Sequence, residues 1–366
     1  MKWIWELSGW PNFEFDSHFI EQFERDFLQN AGKFNGAAQH LVASENDILK
    51  VEMLSQEAIS TSSIEGEILD RDSVQSSIRK HLGLKTDTRK TPPNANGVSE
   101  MLVDIYLHFN HKLTHEMLFS WHSMLMKGRR DIGYVGEYRG HEEPMQIISG
   151  NYNSPKIFYE APPSSIVYFE MGKYIEWFNG ASKNHKIPTI LFAGIAHVYF
   201  EMIHPFEDGN GRIGRALVEK ALSIRLNAAT LNSLSKVIEL DKKAYYSAFG
   251  LCNTQLNLDK YLQVFSKLIL DAQLYSYKTI EFLIIKTKYF QKFSNAFNNR
   301  QEKAILRIFE EGIGGFKGGL SAANYRAITG TSNATATRDL QELVEIGAFI
   351  KTGQLKGTRY LLEIGI

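Results

Sequence analysis

The 366-residue chain balances 41 Lys and Arg against 41 Asp and Glu, so no net field recruits nucleic acid or an anionic membrane, and any such partner must be read by a local patch. Its 43% hydrophobic residues suffice for two or three domain cores, and its single cysteine, Cys252, excludes an intrachain disulfide and points to a reducing compartment. The opening Met1 to Glu6 lacks the apolar run of a signal peptide and nowhere do about 18 apolar residues run together, so the expectation is a cytoplasmic protein with no membrane partner.

The first segment is aromatic and extended, with Trp3, Trp5, Trp10, Phe13 and Phe15 around Pro11, and reads as a hydrophobic arm docked on its own domain. Apolar residues then recur at helical spacing from Ser17 to Leu28 and from Phe34 to about Ser60. Ser60 to Glu67 follows as a helix end, with Gly66 available as a left-handed cap and Glu65 as an exposed acid. Asp72 to His81 is helical, and Lys90 to Gly97 concentrates chain breakers and reads as a boundary or long loop. Val98 to His108 and Thr114 to Lys127 resume helix, the latter with Thr114 as N-cap. Gly133 to Arg139 reads as loop, while Met145–Ile148 and Lys156–Tyr159, separated by Ser149 to Pro155, read as a hairpin. Ile166 to Asn179 is helical. Thr189 to Met202, opened by Pro188, is apolar nearly all round, which predicts burial at a domain centre, with His197 as a core histidine.

The next twelve residues, His204-Pro-Phe-Glu-Asp-Gly-Asn-Gly-Arg-Ile-Gly-Arg215, hold the most chemistry. Gly209 and Gly211 around Asn210 allow the backbone to aim several N–H groups at one point, an anion nest for which phosphate is the natural occupant. Arg212 to Leu226 follows as helix, so the nest sits where the helix dipole also favours negative charge. Arg212 and Arg215 share a face and suit a polyphosphate. Asp208 is a short carboxylate positioned for a magnesium ion, and His204 is a base titrating near neutrality. Each piece has an ordinary reading as loop histidine, turn or solvated arginine; it is the conjunction that points to a nucleotide triphosphate site.

Downstream, Tyr245-Tyr246 precedes Asn253, and Leu258 to about Phe293 continues as helix. From Asn295 the character changes: helices Arg300–Glu310, Ser321–Ile328 and Asn333–Ile346, then short strands at Phe349–Thr352 and Thr358–Leu362, an order similar to a winged helix-turn-helix. This tail carries nine Lys and Arg against seven Asp and Glu, a slight basic excess that leaves DNA contact and protein contact equally open.

The stretch His204 to Arg215 resembles the signature of the Fic family, H-P-F-x-[D/E]-G-N-G-R-x-x-R, at every specified position. The resemblance implies a protein AMP-transferase: His204 as general base toward a Ser, Thr or Tyr hydroxyl, Asp208 on Mg2+, Gly209, Asn210 and Gly211 as the anion hole for ATP, Arg212 on the outer phosphates and Arg215 near the γ-phosphate. Thr61-x-x-x-Glu65-Gly66 resembles the family's inhibitory-helix motif in its N-terminal, second-class position, which implies that Glu65 pairs with Arg215 and blocks the γ-phosphate. The hairpin corresponds to the family's flap, whose edge pairs with the target segment. Tyr246 and Asn253 correspond to the nucleoside-pocket segment and are expected to contact adenosine. The implied fold is mainly α: a helical extension over 1–93, a Fic catalytic core with a small β-hairpin flap over 94–293, and a winged helix-turn-helix over 294–366. Target protein hydroxyls, and the chain itself, are the expected partners. Homodimerisation, removal of AMP instead of its addition, and other nucleotide donors such as UTP stay open, as does a DNA-binding regulator in which the core only senses nucleotide.

Overall fold

The computed structural model describes residues 2–39, 41–149, 156–310 and 318–364, and over them the chain is mostly α-helical with two small antiparallel hairpins. In chain order these elements are α1 (Ser17–Ala38), α2 (Ala43–Ile64), α3 (Arg71–His81), α4 (Pro93–Leu107), α5 (His115–Leu125), β1 (Gln146–Ser149), β2 (Lys156–Glu160), α6 (Ser164–Lys183), α7 (Thr189–Ile203) and α8 (Asn210–Leu226). After them come α9 (Leu234–Leu240), α10 (Lys242–Cys252), α11 (Asp259–Lys292), α12 (Asn299–Glu310), α13 (Ala322–Thr329), α14 (Asn333–Glu345), β3 (Phe349–Thr352) and β4 (Arg359–Leu362). The chain divides into two units, Met1–Ser276 and Tyr277–Ile366, and the division falls within α11.

The first unit is built on α7. Apart from Glu201, every residue of this helix is buried, and each large apolar side chain removed from water contributes about 1.5–3 kcal/mol. Packed on it are α8, α6 and α1. The aromatic arm docks here as expected: Ile4 is buried, the Trp5 indole donates to the Glu160 carbonyl (2.8 Å), and Trp10 sits edge-on to Tyr199 while donating to Glu170 (2.9 Å). The hairpin pairs Gln146 with Glu160 and Ser149 with Lys156. Its expected connecting segment lies largely outside the described residues, at 150–155.

Two local readings differ. Lys90 to Gly97 is not all loop: Pro93 occupies the first turn of α4, where its missing N–H has no helical partner to lose, so a breaker cluster became a helix start. The seven-residue α9 was too short to give a period. Thr114 does cap α5, its hydroxyl accepting the Met117 N–H at 3.2 Å.

The second unit, taken by itself, gathers Tyr289, Ile305, Phe309, Tyr325, Leu340, Leu343 and Phe349 around one core. Three helices, α12 to α14, precede a hairpin in which Phe349 faces Leu362. Asp339, buried beneath them, accepts from both the Arg300 guanidinium and the Tyr325 hydroxyl, and Arg300 first, then Tyr325, holds its carboxyl below the usual range against the opposing effect of burial.

Candidate active site

The signature residues converge between the C-terminus of α7 and the N-terminus of α8. His204 ends α7 in the left-handed region (φ 50°), a conformation that costs a non-glycine residue energy and needs outside support. Arg139 supplies it. This residue, 2% exposed, donates from Nε to the His204 carbonyl (2.8 Å), from Nη2 to the carbonyls of Pro162 (2.6 Å) and Ile203 (3.3 Å), and from Nη1 to Ser164 (2.9 Å). Its own N–H reaches the Pro205 carbonyl at 3.0 Å. The His204 ring points Nδ1 at the Glu201 carbonyl (3.3 Å), which can only accept, so the proton sits on Nδ1 and Nε2 keeps its lone pair. Burial pushes the imidazole down to about 4, leaving it neutral at physiological pH.

The loop between the helices is stapled from inside. The Asn210 side chain accepts the Phe206 N–H (2.9 Å) and donates to the Phe206 carbonyl (2.8 Å), so Asn210 shapes the loop. Gly209 has φ 83°, a left-handed conformation that favours glycine. The first turn of α8 presents the N–H groups of Asn210, Gly211 and Arg212, which no carbonyl within the helix can reach. His122 supports the loop from α5: its Nε2 donates to the Asp208 carbonyl (3.2 Å), its Nδ1 accepts from the Gly136 N–H (3.0 Å), and its ring stacks on Phe206 at 4.2 Å.

Asp208 carries three contacts, from its own neighbour's Gly209 N–H, from Arg129 Nη1 (2.8 Å) and from Arg212 Nη2 (3.5 Å). Burial opposes ionisation, yet Arg212 and then Arg129 hold the carboxyl below the usual range, so it is a charged hard-oxygen donor. Among the described residues no group of three or more His, Cys, Asp and Glu side chains is arranged to hold a metal. Asp208 fits Mg2+ in the mode where a carboxylate binds the ion and phosphates and water complete the shell.

Two carboxylates from the end of α2 lie on the two signature arginines. Glu65 Oε1 accepts from Arg215 Nη2 at 2.7 Å, and Arg215, 2% exposed, also donates from Nε to the Thr61 hydroxyl (2.8 Å) and from Nη2 to the Thr61 carbonyl (3.1 Å). A β-carbon on Gly211 would lie 2.5 Å from Glu65 Oε1 and 3.0 Å from Arg215 Nη1, so the carboxylate rests directly over the first turn of α8. Glu67 Oε2 accepts from Arg212 Nη1 at 3.0 Å, while its other oxygen accepts from Asn94 (2.8 Å). Lys242 from α10 closes the helix end by donating to the Ser63 carbonyl (2.7 Å).

His204, Asp208, Gly209 to Arg212, Arg215 and Glu65 are thus neighbours. The other two candidates lie on and just past α10, and Tyr246 is within electrostatic reach of Glu65 and Arg215. Tyr246, on α10, is half-exposed and edge-on to Tyr245. Asn253 uses its side chain to hold the hairpin, donating to the Phe158 carbonyl of β2 at 2.7 Å, and its own carbonyl accepts the Ile4 N–H at 2.7 Å. Arg139, His122, Arg129 and Glu67 were not singled out from sequence. Glu67 had a visible signal, a second acid just past the Gly66 turn; Arg129 and Arg139 lie in loops where Arg is ordinarily solvated, and His122 lies within α5, where nothing local marks its partner.

The sequence model of the Fic/DOC family matches residues 112–222, and that of a domain of unknown function, DUF4172, matches residues 3–84. A probable protein adenylyltransferase of Aquifex aeolicus is 33% identical over 112 residues, 30% of this chain and 29% of its own length. The protein adenylyltransferase Fic of Drosophila mojavensis is 28% identical over 116 residues, 31% of this chain and 22% of its own. The chain therefore spans less than a third of either relative. Among solved structures, a Fic family protein from Desulfovibrio desulfuricans superposes with a TM-score of 0.52 at 18% identity, over 92% of this chain and 95% of that one. Fic-1 from C. elegans gives 0.50 at 19% identity over 74% of each, and both likenesses speak to fold. With its signature loop inside the matched segment and its helical architecture shared with such neighbours, the chain carries a Fic/DOC-family domain at residues 112–222.

Proposed function

We propose that the protein is a protein adenylyltransferase that moves AMP from Mg-ATP to a Ser, Thr or Tyr hydroxyl of a target protein, itself included, and is held back by Glu65. The observation that carries the reading is His204, its Nδ1 engaged by the Glu201 carbonyl, on the turn that leads into a helix-N-terminal nest flanked by two buried arginines. Acid–base and anion-stabilising groups are gathered there for phosphorus chemistry.

In the reaction, the target hydroxyl oxygen attacks the α-phosphorus, the bond from that phosphorus to the bridging oxygen of the β-phosphate breaks, and pyrophosphate leaves. His204 Nε2 takes the hydroxyl proton. The N–H groups of residues 210–212 and the Arg212 guanidinium receive the charge growing on the departing oxygens, and Arg215 holds the γ-phosphate once Glu65 has left it. Asp208 is the residue that would hold Mg2+, which when bound would supply charge neutralisation to the phosphates. Tyr246 is proposed as an adenosine contact, with Asn253 behind it fixing the flap strand. Removal of AMP from the same site would be hydrolysis of the ester: water, oriented by Glu65, attacks the phosphorus, the bond from phosphorus to the target oxygen breaks, that oxygen takes up a proton, and AMP leaves.

The division into an extension over 1–93, a core over 94–293 and a winged-helix tail over 294–366 belongs to this reading, with the tail as a partner-contact module. The test is label transfer to protein from ATP labelled at the α-phosphate or at the γ-phosphate. Transfer from the first and not the second, lost in His204→Ala while ATP binding persists, is the expected result. Label arriving from the γ-position would make the chain a kinase and sink the proposal.

A further inference from the structure

One buried carboxyl takes no part in the chemistry just described. Glu201 is the single residue of α7 not fully enclosed, yet its side chain is only 12% exposed, and its Oε1, among the described residues, has no hydrogen-bond partner. An unpaired buried polar atom costs folding free energy that a similarly sized apolar side chain would avoid. The residue is a liability to the fold, so its reason must be sought in what it faces. Its Oε2 lies 3.8 Å from His204 Nδ1. Its Oε1 lies against Gly214 of α8, where a β-carbon would collide with it and would stand 3.0 Å from His197 Nδ1, a second atom with no partner among the described residues. His197 is anchored at its far end, Nε2 to the Tyr245 hydroxyl at 2.8 Å. Residues 197 and 201 share a helix face, and 204 closes the same helix.

We propose that Glu201 is the positioning residue for His204: its carboxyl oxygen, held behind the ring by the close approach of α8 at Gly214, keeps the Nδ1 proton in place and Nε2 facing the nest. The Glu201 backbone carbonyl at 3.3 Å accepts the Nδ1 proton, and the carboxyl oxygen at 3.8 Å, beyond hydrogen-bond range, flanks that bond on the same side of the ring. From that distance the carboxyl oxygen acts through its dipole, which favours the proton on Nδ1 and faces the positive charge the ring gains when it takes the hydroxyl proton. Burial pushes Glu201 up to about 8, so it serves as a neutral dipole and not as a competing base. The inference rests on His204 being the base.

The experiment compares full-length Glu201→Leu and Glu201→Gln with wild type by melting temperature, by kcat and KM for ATP in AMP transfer, and by 15N NMR of the His204 ring. Leu should raise Tm, because it removes the unpaired carboxyl. It should lower kcat on the order of 10- to 100-fold with KM within about twofold, and turn a single Nδ1–H tautomer into a mixture. Gln, which keeps an acceptor oxygen, should restore most of kcat and the single tautomer. A Leu variant that melts lower or fails to fold would make Glu201 a structural residue and overturn the proposal. So would unchanged kcat in Leu, a Gln variant as slow as Leu, or a tautomer that does not respond. If wild type transfers no AMP at all, the reading of His204 as the base fails separately, and the NMR and Tm results still decide whether Glu201 positions the ring.

Discussion

His204 holds a backbone conformation that few residues adopt, and one buried guanidinium carries the burden of keeping it there. Burial pushes Arg139 down to about 10, still far above neutrality, so it stays charged and every bond it makes is charge-assisted. Arg139→Met should therefore lower stability by at least ~2 kcal/mol, measured by urea denaturation, since it strands carbonyls of the His204 turn. It should also lower transfer more than ATP binding, because the base shifts while the nest remains. Equal losses of both would mean that Arg139 serves the fold only. That His204, Asp208, Arg212 and Arg215 stand in one place was legible at this scale because the twelve-residue signature is contiguous in sequence. What holds the signature was not legible: Arg139 lies 65 residues before the carbonyl it binds, and His122 lies 86 before its own. No local pattern distinguishes such residues from solvated ones, since their partners are backbone atoms, which every residue has.

At the level of elements, the end of α2 presents a carboxylate on each side of a left-handed glycine, Gly66 at φ 83°, and each carboxylate reaches a different arginine of α8. Gly66 could be read from sequence as a helix end, and the Glu65–Arg215 pair was an expectation of the motif resemblance; that Glu67 lands on Arg212 depends on how α2 packs against α8, which sequence spacing does not encode. The two contacts are unequal. Arg215 is 1% exposed at its side chain and makes three bonds toward α2, whereas Arg212 is shared between Glu67 and Asp208. Glu67→Gln should thus raise AMP transfer by only about 1.5- to 5-fold, the range expected for a partly solvated pair worth ~0.2–1 kcal/mol. A gain as large as that of Glu65→Gly, measured side by side, would show that Arg212 is the controlling cation instead.

For the whole molecule, α2 and α8 also enclose two further carboxyls, Glu57 and Glu219, which line a cavity of about 20 Å3 with Asn232 and Tyr106. Burial pushes Glu57 up to about 6 and Glu219 up to about 7, against ordinary values of 4.5. Between those limits the folded chain keeps protons that the unfolded chain has lost. The stability these neutral carboxyls contribute is complete below about pH 4.5 and is lost as pH rises through their folded values. Glu219→Gln, fixed neutral, should melt like wild type near about pH 5 and above it by on the order of 1–3 kcal/mol near about pH 8; a difference that does not grow with pH would refute the raised carboxyl. Truncation after Phe293 should leave self-modification intact, because every residue given a chemical role lies within Met1–Ser276; its loss in a folded truncation would make the tail part of the catalytic unit. The central claim, that Glu65 restrains a His204-dependent AMP transfer, is tested most directly by α-labelled ATP with Glu65→Gly and with Glu65→Gly/His204→Ala. The account predicts that Glu65→Gly labels itself about 5- to 150-fold faster than wild type, the span of a ~1–3 kcal/mol coupling, and that the double variant does not label. A folded, ATP-binding Glu65→Gly protein no faster than wild type, or a double variant that still labels, would contradict it.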